Sequence, residues 1–137
     1  MQDRPTYDEM LAAVEHFLDT EIVPNVPGSR GFHARVAANA IRIVRRELQV
    51  QEEQLAAEWA GLDELLGRAD PSGEGRDALA RAIQTRNDEL CGRIRRGDAD
   101  AGPYHGQVLA HVRRTVRDKL AVSDPGLLER SEGHAAE

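Results

Sequence analysis

Hydrophobic residues recur along this chain at the three- and four-residue spacing of amphipathic helices, and the stretch from Phe32 to Leu48 carries the pattern furthest. At about 100° per residue its apolar side chains sweep roughly two-thirds of the circumference, from Phe32, Ile43 and Val36 through Ala40, Val44, Ala37, Leu48 and Ile41 to Ala38. A surface helix needs only about a third. The spacing therefore predicts a central helix, helix 2, over about 31–48, touching several neighbours at once. Its remaining arc lines up Arg35, Asn39, Arg42 and Arg46, with Arg45 set apart.

The flanking segments follow the same logic. Thr6 with Glu9 three residues on is a capping-box signature, and Tyr7, Met10, Leu11, Val14, Phe17, Leu18 and Ile22 share one side of a first helix that Pro24 stops. Asp8, Glu15, His16 and Asp19 fall opposite. After Leu48 a polar stretch leads to a third stripe, Leu55, Trp59, Leu62 and Leu66, ending at Gly67. No Pro or Gly divides the second and third stripes and their phase is kept, so one bent helix or two both fit. Residues 68–76 are the most loop-like interior segment. A helix from about 76 to 96 presents Leu79, Ile83, Leu90 and Ile94, with Gly97 as its stop. A last one, about 103–122, presents Tyr104, Val108, Leu109, Val112, Val116 and Leu120, after which Leu127 and Leu128 fold back. The expected fold is all-α, a four- or five-helix up-down bundle with helix 2 central; residues 1–128 make a single domain and 129–137 a disordered tail.

Charge and composition narrow the function. A net charge of −6 over 137 residues disfavours nucleic acid or an anionic membrane as the main partner, since both reward a positive surface. Aromatics are only 4%, too few for base-stacking platforms. One cysteine, Cys91, excludes an internal disulfide and reads as a packing spacer. With no secretory pattern at the N-terminus and no apolar run of membrane-spanning length, the cytoplasm is the expected location.

The block Phe32-His33-Ala34-Arg35-Val36-Ala37-Ala38-Asn39-Ala40, followed by Arg45-Arg46-Glu47-Leu48, resembles a family of small, uncharacterised bacterial helical proteins. Arg4-Pro5-Thr6 and Lys119-Leu120-Ala121-Val122 carry the same resemblance. Genes of that family tend to lie beside those of aminoglycoside-phosphotransferase-like kinases and acyl-CoA dehydrogenases. What the resemblance implies is a protein partner, a kinase-like or acyl-CoA dehydrogenase enzyme, and a link to acyl-CoA metabolism.

Two groups of residues are candidates for chemistry. Arg35, Arg42 and Arg46 stack like charges along one face, so something negative should answer them: carboxylates of another helix, Glu21 among them, or a phosphate-bearing ligand such as an acyl-CoA, or an acidic partner. Asn39, at the edge of that line, suits a register-fixing hydrogen bond. His33 and Glu47 on helix 2, and His105 and Lys119 on the last helix, fall inside apolar arcs and are expected to face inward. Each pair is 14 residues apart, so parallel packing of the two helices would set His33 near His105 and Glu47 near Lys119, about 21 Å apart. Such a pair suits packing specificity better than catalysis. No histidine has a glutamate three residues before it, and no zinc, P-loop, dinucleotide or nucleophile-elbow motif is present. The chain thus reads as a non-catalytic accessory protein, with a homodimer among its expected forms, that needs no cofactor or metal; the rival is a small-molecule binder or enzyme that holds a phosphate-bearing ligand on the helix 2 arginines.

Overall fold

The computed structural model describes residues 3–71 and 73–134, with side chains up to residue 130. Five α-helices follow one another: α1 (Tyr7–Phe17), α2 (Ser29–Leu66), α3 (Arg76–Arg95), α4 (Gly102–Ser123) and α5 (Pro125–His134), with a π-helical turn, Leu18–Ile22, extending α1. There is no strand among the described residues. The fold class is all-α, as the spacing predicts. Contacts divide the chain into two compact units, residues 1–50 and 51–137, with the boundary inside α2.

Local signals account for the helix ends. Thr6 and Glu9 close the expected capping box: the Thr6 hydroxyl accepts from the Glu9 N–H at 3.2 Å, and the Glu9 carboxylate accepts from the Thr6 N–H at 2.7 Å. In the loop that follows the π-turn, the chain folds tightly onto the start of α2, where a Cβ at Gly31 would collide with the Val26 carbonyl. The second and third stripes form one helix, since nothing in the polar stretch 49–54 breaks the hydrogen-bond ladder. α2 stops where Gly67 adopts φ 90°. After α4, where Leu127 and Leu128 are expected to fold back, α5 runs from Pro125 to His134. Its start carries a strong local signal, Asp124 as a cap accepting from the Leu127 N–H at 3.2 Å and Pro125 in the first turn. Residues 135–137 of the expected tail, and Ser72 of the loop, lie outside the described residues.

Unit 1 is a helix pair. Arg42 reaches Glu15 and Asp19, and Arg45 reaches Asp8 and Glu15, so residue numbers rise on α2 as they fall on α1 and the two helices run antiparallel. The side of α2 that meets α1 is small: Ala34 and Ala38 are its buried positions. Unit 2 has the larger core. Leu62 and Leu65 of α2, Ile83 and Leu90 of α3, Ala99 of the connection and Val108 of α4 form it, with Leu55, Trp59, Leu66, Leu79 and Tyr104 packed around.

Arg86 ties this core together. Its guanidinium is buried, pairs with Asp63, donates to the Leu62 carbonyl at 3.0 Å and to the Gly67 carbonyl, and lies 4.8 Å from the ring centre of Trp59. It thereby adds a donor to the Leu62 carbonyl and satisfies the Gly67 carbonyl just past the end of α2.

Candidate functional site

The helix expected to be central is buried on the narrow side of its apolar arc. Within unit 1, Ala34 and Ala38 are buried and Ile41 half-buried, whereas much of the remaining arc faces water: Phe32 is 59% exposed, Val36 52%, Val44 46% and Leu48 37%. α1 repeats the pattern, with Tyr7, Met10, Val14 and Phe17 along one exposed stripe. The reason is geometric. A two-helix unit offers each helix one neighbour, and here the long arginines and acidic side chains bridge the contact that larger apolar residues would otherwise fill.

The arginine line is accordingly split. Nε of Arg42 donates to Glu15 at 2.8 Å and its Nη2 to Asp19; Nε of Arg45 donates to Asp8 at 2.8 Å and its Nη1 to Glu15 at 2.7 Å. Asp8, Glu15 and Asp19 supply the negative charge, rather than Glu21, whose backbone carbonyl instead accepts from Asn25. The Arg45 guanidinium holds the Asp8 carboxyl below the usual carboxylate range, and the acidic partners raise both arginines above theirs. Arg35 and Asn39 are exposed, and Arg46 lines an open cavity of 270 Å³ with Glu15, Arg42, Arg45 and Gln49. That cavity is polar and below the size of ordinary small-molecule sites.

The four ionisable residues expected to face inward all lie on the exposed sides of their helices. His33 packs edgewise on Phe32, its ring centre 5.8 Å away. Among the described residues neither His33 nor Glu47 has an ion-pair partner. His105 meets the Ala99 carbonyl through Nδ1 at 2.8 Å. Lys119 pairs with Glu58 at 3.5 Å, not with Glu47. Although α2 is the continuous rod that the proposed register required, α4 is rotated: its buried positions are Val108, His111 and Val122, while Leu109, Val112 and Val116 are exposed. A wheel shows how wide an apolar stripe is but not which edge the neighbours cover, and the core drew in the edge of Tyr104 and Val108.

That rotation creates a site that the sequence patterns did not isolate. His111, 5% exposed, stands over Gly61, where any Cβ would strike its ring. It makes no hydrogen bond among the described residues, and burial holds its pKa down, with Glu58 and Glu64 favouring its charged form and Arg114 and Lys119 opposing it. The ring lines a groove of 230 Å³ between α3 and α4, walled by Leu90, Ile94, Val112 and Val116. Glu58, at its edge, accepts from Asn87 at 2.8 Å. The usable signal is the i, i+4, i+7 run Tyr104, Val108, His111, which sets the histidine on the buried edge. Cys91 also lines the groove and is exposed.

The family model described as Domain of unknown function (DUF6285) matches residues 24–127. This chain belongs to that family. The match to DUF6285 takes in α2, α3, α4 and the start of α5, and leaves α1 outside. No curated protein and no solved structure matches the chain. No helix among the described residues is long and apolar enough to cross a membrane, and no three His, Cys, Asp or Glu side chains among them are grouped to hold a metal ion.

Proposed function

We propose that this DUF6285 protein is a cytoplasmic, non-catalytic accessory protein that works by protein–protein contact, assembling with itself and with a partner enzyme. The supporting observation is the exposed apolar surface of unit 1, carried by Tyr7, Met10, Val14 and Phe17 on α1 and by Phe32, Val36, Val44 and Leu48 on α2. These eight side chains form two exposed apolar stripes, one on each helix, of the kind that marks interaction sites. The family resemblance supports a kinase-like or acyl-CoA dehydrogenase enzyme as the partner, and through it a role in acyl-CoA metabolism. The rival reading, a phosphate-bearing ligand on Arg35, Arg42 and Arg46, loses support from the carboxylates already placed on Arg42.

The test is co-expression with enzymes of those two classes, followed by the mass of the purified complex. A complex of fixed stoichiometry with wild type, absent with Val14→Asp, is the expected result. A chain that forms no complex and whose hydrodynamic behaviour is unchanged by Val14→Asp and by Val44→Asp would overturn the proposal.

A further inference from the structure

Resting on the reading of unit 1 as an interaction surface, we infer that the exposed face of α2 is the two-fold interface with a second copy of this chain, packed antiparallel and crossing at Ala40. The face has a symmetry that a generic docking surface lacks. At 100° per residue, His33, Ala40 and Glu47 fall within 40° of one another, in a line down the middle of the exposed arc. Phe32, Val36 and Ile43 flank that line on one side, and Ala37, Val44 and Leu48 on the other. His33 and Glu47 interrupt the apolar arc, are of opposite charge type, and each stands seven residues from Ala40.

A two-fold axis beside Ala40 makes these features answer each other. Residues whose numbers sum to 80 come opposite across the antiparallel contact. His33 meets the partner's Glu47, and Glu47 meets the partner's His33, so each ionisable group gains its complement and the pair forms twice per dimer. On the flanks, where the sums are within one of 80, Val36 comes nearest the partner's Ile43, and Val44 nearest the partner's Ala37. At the crossing point the two Ala40 methyls meet, which lets the backbones approach as closely as helices of a bundle do. The seven-residue spacing along the line is that of helices crossing at about 20°, and an isologous contact of this kind closes on itself without growing further. The apolar side chains the contact would cover on each copy are Phe32, Val36, Val44 and Leu48, all exposed. The inference therefore stands on charge complementarity and register together.

The register can be tested residue by residue. In a Cys91→Ser background, Ala40→Cys should oxidise to a disulfide-linked species of twice 15.1 kDa, whereas Arg35→Cys, on the other side of α2, should not. By sedimentation in the micromolar range, His33→Glu should weaken the dimer at least about tenfold, and adding Glu47→Lys to it should restore association. Circular dichroism on each variant separates interface loss from misfolding. A wild type of monomer mass across that range would overturn the inference, as would a dimer in which Ala40→Cys fails to cross-link and the charge swap fails to rescue. Complexes with the enzyme partner that survive in a monomeric chain would leave the accessory role with that partner standing and remove only the self-assembly.

Discussion

Replacing Gly61 by alanine should change sign according to what stands at position 111. Inside an unobstructed helix alanine is favoured over glycine by about 0.8–1 kcal/mol, because glycine loses more backbone freedom on folding. Gly61 is obstructed. A Cβ there would lie 2.9 Å from Cε1 of His111 and closer still to Nδ1, and the ring is too deeply buried to swing into solvent. Overpacking of this kind costs about 1–3 kcal/mol, so Gly61→Ala should destabilise the chain by about 1 kcal/mol net. Once His111→Ala clears the space, the same substitution should stabilise by about 1 kcal/mol, a coupling of about 2 kcal/mol between the two sites. Urea unfolding followed by circular dichroism reads both. With a slope of about 2 kcal/mol/M, the midpoint should fall by about 0.5 M for Gly61→Ala alone and rise by about 0.5 M when it is added to His111→Ala. Shifts of the same sign in both backgrounds, or a coupling under about 0.5 kcal/mol, would refute the close contact.

Arg86→Met should cost about 3–5 kcal/mol, since it strands the buried side of Asp63 and the carbonyls of Leu62 and Gly67; a urea midpoint within about 0.5 M of wild type would contradict that role. Burial lowers the pKa of His111, so on acidification the unfolded chain takes up this proton first. Its contribution to stability is therefore intact above the ordinary histidine value and declines as pH falls through that value toward the lower folded one. The drop in melting temperature between pH 7.5 and 5.5 should be smaller in His111→Asn, and an equal drop would count against it. Thr6→Ala removes the acceptor for the Glu9 N–H and should cost about 1 kcal/mol, seen first as faster amide exchange in the opening turn of α1; unchanged exchange there would show that the cap is idle.

Much about this protein follows from residue order alone. The helix ends obey short-range chemistry: the Thr6–Glu9 box, Pro24, Gly67, Gly97 and Asp124-Pro125 act through bonds spanning a few residues. The all-α class follows from periodicity, and so does the demand that negative charge meet the helix 2 arginines. What the order of residues left open was decided in three dimensions. Whether α2 breaks at the polar stretch, which carboxylates answer Arg42 and Arg45, and which edge of the α4 stripe enters the core all depend on the number and placement of neighbours. Asp8, Glu15 and Asp19 look like a solvent face on a wheel until α1 lies antiparallel to α2. His111 becomes a site only because a glycine one helix away makes room for its ring. The physical reason is common to these cases. Capping and periodicity are local and nearly independent of the rest of the chain, whereas burial is assigned by competition among faces for the few neighbours available, and in unit 1 the broadest apolar face of α2 is left without one.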